Sequence, residues 1–155
     1  MNFNILKGNI LNLEDCIDAL VNSELGVQYF SEREKAKDAL IEGFEKEEIF
    51  VAVDNDNRCI GFIWYILQGA FHAFPYLHII AVKEEYRGIG IGKKIIENIE
   101  DILSEKYSKC FLVVADFNPK AKRLYERMGY IELGRIPDLY KKGVTEIFMM
   151  KMLKQ

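Results

Sequence analysis

Apolar positions along the chain follow two periods, and the switches between them mark out its elements. Phe3 to Leu6 opens the chain as a short strand. Cys16, Ile17, Leu20 and Val21 then recur at helical spacing, which predicts a helix from Asn12 to about Leu25. Asn12 is its expected N-cap, with Asp15 in the capping-box position. Ala36, Leu40 and Phe44 repeat the spacing behind a cap at Ser31, and the Glu and Lys residues between them form a solvated face. Ile49 to Val53 and Cys59 to Leu67 are β-rich runs joined by Asp54-Asn55-Asp56-Asn57, which is turn chemistry, so a hairpin is predicted. Gly69 to Pro75 reads as an aromatic loop and Leu77 to Val82 as the next strand. Ile91, Ile95, Ile99, Ile102 and Leu103 make the apolar stripe of a helix, and Phe111 to Ala115 a buried strand. A second short helix starts at Asn118-Pro119, with proline in its favoured first position. It carries Ala121, Leu124, Tyr125 and Met128 on one face and stops at Gly129. Tyr130 to Ile136 and Val144 to Met152 are the last strands. The order β-α-α-β-β-β-α-β-α-β-β mixes hairpins with crossover helices, so the predicted class is α/β (α+β), with a mixed sheet and helices on both faces.

The 155 residues suit one domain, 1–155, and half of them are hydrophobic, which argues against disorder. A net charge of -3 argues against wholesale nucleic-acid binding. No run approaches the length of a membrane span, and Met1 to Lys7 lacks the pattern of a signal peptide. The three cysteines, Cys16, Cys59 and Cys110, are scattered and read as small buried hydrophobes in a reducing cytoplasm. His72 and His78 are too isolated to suggest a metal site, and no metal is expected.

Val82-Lys83-Glu84-Glu85-Tyr86-Arg87-Gly88-Ile89-Gly90-Ile91-Gly92-Lys93-Lys94 is the most informative stretch. Glycines at alternate positions lie where a strand hands over to a helix. There, backbone N–H groups can converge on an anion that the helix macrodipole also favours. A P-loop is excluded by Arg87 at the upstream glycine position and Lys94 at the hydroxyl position. A dinucleotide fingerprint is excluded because its third glycine falls on Lys93 or Ile95. The pattern that fits is Arg87-x-x-Gly90-x-Gly92, which resembles the pyrophosphate loop of the GNAT superfamily of N-acetyltransferases. Asn118-x-x-Ala121-x-x-Leu124-Tyr125-x-x-x-Gly129-Tyr130 resembles the second cofactor motif of the same superfamily.

This resemblance, close over Leu77 to Tyr130, implies a mostly antiparallel sheet of six to seven strands, splayed in the middle, with acetyl-CoA as co-substrate. It implies that the backbone of Ile80, Ala81 and Val82 pairs with the pantetheine arm. It implies that the N–H groups of Arg87, Gly88, Ile89, Gly90, Ile91, Gly92 and Lys93 hold the diphosphate, and that Asn118, also a helix cap, bonds the arm. Tyr125 is the expected general acid toward the leaving thiolate, with a core aromatic as its alternative reading. His78 has a suitable intrinsic pKa and shares a strand face with Ile80 and Val82, which makes it a candidate base; a half-buried structural histidine is its alternative reading. Tyr76 stands where many relatives carry a carboxylate. Acceptor-side candidates are Tyr29, Phe30, Phe74, Tyr76 and Tyr140. The Asp138 to Met149 tail looks somewhat like that of protein N-terminal acetyltransferases, with Leu139 replacing a first tyrosine. The implied function is transfer of an acetyl group to a primary amine, a small molecule being favoured. A protein N-terminus or lysine, and a non-catalytic CoA-binding sensor, are the alternatives, and a homodimer is admitted.

Overall fold

The computed structural model describes residues 1–154. Its strands are β1 (Phe3–Lys7), β2 (Ile49–Asp54), β3 (Cys59–Ala70), β4 (Phe74–Val82), β5 (Lys109–Ala115), β6 (Ile131–Pro137) and β7 (Thr145–Met152). Its helices are α1 (Leu13–Val21), α2 (Glu24–Tyr29), α3 (Arg33–Glu45), α4 (Ile91–Leu103) and α5 (Pro119–Arg127). The sheet has seven strands in the order β1-β2-β3-β4-β5-β7-β6. The β1–β2, β2–β3, β5–β7 and β6–β7 pairs are antiparallel, and β4–β5 is parallel. Registered β4–β5 partners are Tyr76 with Phe111 and Leu77 with Leu112, while β4 continues to Val82. The mixed, mostly antiparallel sheet expected from the sequence is therefore present. No helix among the described residues is long and apolar enough to cross a membrane.

The chain forms two compact units. The first is Met1–Tyr65 with Ile79–Asn98, and the second is Ile66–His78 with the chain from Ile99 onward. β3, β4 and α4 each pass from one unit to the other. In the first unit α1 packs against α2 and α3, and Cys16, Ile17, Leu20, Ala36, Leu40, Ile60, Phe62 and Ile63 are buried. In the second, α5 lies on β5, and Phe111, Leu112, Tyr125, Tyr130 and Met149 are buried.

Several boundaries differ from expectation. Asn9, not Asn12, accepts the capping bond, from Leu11, and it opens a single 3-10 turn ahead of α1. Asn12 makes no side-chain cap bond to α1, and its amide oxygen accepts from the Asn9 N–H instead. The predicted long helix breaks at Asn22-Ser23, because the Ser23 hydroxyl starts α2 by accepting from Gly26 N–H. A Cβ on Gly26 would lie 1.7 Å from the Leu20 carbonyl oxygen, so the corner closes only around a glycine. Val21 is half-buried rather than buried. Glu32, not Ser31, precedes α3, and no side-chain bond caps that helix. Gly69 to Pro75 is not a loop: β3 and β4 run into a tight turn in which Ala73 N–H donates to Ala70 C=O at 3.1 Å. Phe71 and His72 take φ of 58° and 56° there. The strands extend this far because Phe71, Phe74, Phe111 and Phe148 form a ring cluster around the turn. On α4, Ile96 is buried and Ile102 is exposed, a small rotation of the predicted stripe.

Candidate active site

Strand β4 ends the first unit's share of the sheet, and its burial alternates strictly. Tyr76, His78, Ile80 and Val82 occupy the half-buried face, as strand alternation requires. Lys83 N–H donates to Ile60 C=O at 2.9 Å, and the Ala81 carbonyl oxygen would lie 2.9 Å from a Cβ on Gly61. Ala81 and Lys83 thus direct their backbone groups toward β3, and Ile80 and Val82 direct theirs the opposite way. The Ala81 backbone thus faces β3. The Val82 carbonyl is taken by Arg87 Nε at 2.8 Å.

The loop after β4 makes one 3-10 turn, Glu84–Tyr86, before α4 begins. Arg87 N–H closes that turn onto Glu84 C=O at 3.2 Å, so it is not among the groups left for an anion. The first amide to bond within α4 is Lys94 N–H, which donates to Gly90 C=O at 3.1 Å. The N–H groups of Ile91, Gly92 and Lys93 therefore have no partner inside the helix, at the positive end of its dipole. Gly88 and Gly90 have φ of +81° and +82°, a backbone region that side-chain-bearing residues seldom adopt, and nothing lies within 4 Å of where a Cβ would project. Gly92 has ordinary φ, and its nearest neighbour would be Val82 Cγ2 at 3.8 Å. The loop is thus an open, main-chain-lined cradle whose donor set fits a diphosphate. Ile89 is exposed and Ile91 anchors α4 in the core. Lys93 is exposed and pairs with Glu97 at 3.7 Å.

The side chain of Arg87 has a role that spacing could not disclose. Besides Val82, it donates to the carbonyls of Asn22 at 2.8 Å and Ala19 at 3.3 Å, which lie at the C-terminal end of α1. Beside it Asp15 pairs with Lys83, which fixes α1 to the residue that follows β4. Cys16 and Cys59, remote in sequence, meet under this corner. Their hydrogen bond and burial push the Cys16 thiol well above its ordinary value, so it is a packed thiol and not a reactive one. Tyr29 and Phe30 close α2, both half-buried.

In the second unit Asn118 occupies the N-cap of α5, and its side-chain oxygen accepts from Ala121 N–H at 3.2 Å. The helix stops at Arg127, two residues before Gly129 with its φ of +103°. Tyr125 is buried, and burial pushes its phenol up to about 12. Its ring meets that of Tyr130 edge-on, centroids 5.6 Å apart. Tyr76 and Tyr140, two of the acceptor-side candidates, share a hydroxyl–hydroxyl hydrogen bond of 3.0 Å. Burial first, then Tyr140, hold the Tyr76 phenol far above its ordinary value. The His78 ring lies 6.1 Å from that of Tyr76. Phe74 sits apart from this pair, against Phe111 at 5.9 Å with the Lys109 ammonium 5.2 Å from its ring.

The first unit thus holds a glycine cradle at a helix N-terminus and the second a buried tyrosine on a capped helix, and each carries one of the two sequence motifs. Residues 17–130 match the acetyltransferase (GNAT) family, and the chain belongs to that family. It is 32% identical over 105 residues to an uncharacterized N-acetyltransferase of Methanocaldococcus jannaschii, an alignment covering 66% of this chain and 65% of that protein. It is 46% identical over 59 residues to the thialysine N-epsilon-acetyltransferase of Sus scrofa, covering 37% of this chain and 35% of that enzyme. Both alignments thus span less than two thirds of the relative's length. A GNAT-family acetyltransferase structure from Bacillus cereus matches the whole of both chains with a TM-score of 0.80 at 16% identity, a likeness of fold.

Proposed function

We propose that this chain is an acetyl-CoA-dependent N-acetyltransferase that acts on a primary amine by direct attack in a ternary complex. The observation that carries the reading is the cradle at the head of α4, where unpartnered amides and positive-φ glycines present main chain rather than side chains to an anion. Acetyl-CoA supplies an activated acyl group on a thioester sulfur. The chain's part is to hold its diphosphate with the N–H groups from Gly88 to Lys93. The outward backbone of Ile80 and Val82 N–H align the pantetheine arm, and one of those amides faces the oxygen on which charge develops. The Asn118 amide gives the arm a further hydrogen bond while its oxygen caps α5. Tyr125 presents its phenol proton to the leaving sulfur. The acceptor must arrive as the free amine, and His78 on the half-buried face of β4 is the candidate base for its proton.

A small amine is the favoured acceptor. The family match and the relative named for a side-chain amine of thialysine support a primary amine. A peptide N-terminus is the second reading, favoured by Tyr140 of the Asp138–Gly143 segment being held to Tyr76. Free-thiol release from acetyl-CoA, measured across a polyamine and amino-acid panel and across a peptide panel, separates the two. The expected result is release with small amines and at least a tenfold loss of kcat in Tyr125→Phe with unchanged acetyl-CoA affinity. Binding without release for any amine would instead make the chain a coenzyme A sensor. Undiminished kcat in Tyr125→Phe would remove that residue from the mechanism.

A further inference from the structure

Glu100 is a buried carboxylate that the proposed chemistry does not use. It lies in the second unit's part of α4 and is 5% exposed. Removing a carboxylate from water costs several kcal/mol unless its lone pairs are filled, as an order of magnitude. Both oxygens are filled here: Oε1 accepts from Lys151 Nζ at 2.6 Å, and Oε2 from the Tyr130 hydroxyl at 2.5 Å. Cys110 Sγ lies 3.2 Å from the same hydroxyl, and the Lys151 ammonium lies 5.8 Å from the Tyr130 ring centroid. Apolar residues of similar volume in place of Glu100, Tyr130 and Lys151 together would fill the same hollow without a buried charge, and such whole-network replacements are often neutral or stabilising. The network therefore fixes an orientation more than it adds stability.

The orientation it fixes is that of Tyr125. Burial alone raises the Tyr125 phenol, with no hydrogen-bonding side chain contributing, so packing aims its ring. The ring that packs against it is Tyr130, at 66° between planes. Tyr130 N–H also donates to the Tyr125 carbonyl at 3.0 Å, so the two residues are tied at backbone and ring alike. We infer that Glu100, braced by Lys151, is a positioning residue that sets the angle of Tyr125 by holding the Tyr130 hydroxyl. The inference rests on the reading of Tyr125 as the proton donor.

A double-mutant cycle tests it, because an angular error in a catalytic group lowers turnover without touching cofactor binding. Glu100→Gln and Tyr130→Phe should each lower kcat about tenfold with KM for acetyl-CoA unchanged. Neither should lower kcat further when Tyr125 is already Phe. Tyr130→Phe keeps the Glu100–Lys151 pair and serves if Glu100→Gln does not fold. Full, multiplicative losses in the Tyr125→Phe background, or unaltered kcat in the single variants, would overturn the positioning role. Undiminished kcat in Tyr125→Phe alone would overturn the acid assignment first, and this role with it.

Discussion

At the scale of single residues, environment decides what each group can contribute. Tyr125 illustrates this. A phenol held near 12 stays protonated at any working pH. It is also a weak acid beside a thiol of ordinary pKa, about 8.5. In the proposed reaction, burial would destabilise a leaving thiolate as it does the phenolate, which would match the two as acceptor and donor. The same shift has a stability consequence. The folded state favours the neutral phenol, so that contribution is fully present below the ordinary value of 10.0 and is lost as pH rises through about 12. A shift of this size corresponds to about 3 kcal/mol. Cys110, raised from 9.0 to about 12 chiefly by burial, acts in the same direction. Urea midpoints should be level up to about pH 9 and fall toward pH 12, with a shallower fall in Tyr125→Phe. An identical fall in that variant would contradict the burial of its phenol.

At the scale of elements, the caps and corners carry more meaning than the helices they bound. Asn118 can serve α5 and a ligand at once, because its oxygen is used by Ala121 and its NH₂ is a separate donor. Asn118→Ala should lose about 1 kcal/mol of stability. Asn118→Ser restores the cap without the amide, so it should recover the melting temperature but not acetyl-CoA affinity. Recovery of both would reduce Asn118 to a cap. The corner of α1 and α2 belongs to the same scale. Gly26 permits it, Ser23 closes it, and the Arg87 guanidinium fastens it to the cradle loop through Ala19 and Asn22. The cradle's arginine is thus a strut between elements, whatever its backbone neighbours hold.

At the scale of the whole molecule, the strand and helix periods made most of the topology legible. Asp54 shows why: its carboxylate accepts from Asp56 and Arg58 N–H groups, so the turn is written locally in the residues that form it. The α1–α2 break was not legible, since Ser23 and Gly26 matter through a 1.7 Å approach to the Leu20 carbonyl that no spacing encodes. The Phe71-His72 turn was not legible either, because two non-glycine residues adopt positive φ there, supported by rings from β5 and β7. Cradle and tyrosine motifs could be read along the chain. The Glu100–Tyr130–Lys151 network, the Cys16–Cys59 contact and the Arg87 strut could not, because each joins residues that meet only after folding. The central claim is that bare main chain at the head of α4 grips the diphosphate, and Gly92→Glu tests it most directly. Gly92 has ordinary φ and room for a Cβ, and the first turn of α4 has no acid, so a carboxylate there should leave the fold as stable or raise it slightly through the helix dipole. By calorimetry, acetyl-CoA affinity should fall at least a hundredfold, about 2.7 kcal/mol. Unchanged affinity in a Gly92→Glu protein with an unaltered melting temperature would contradict the account.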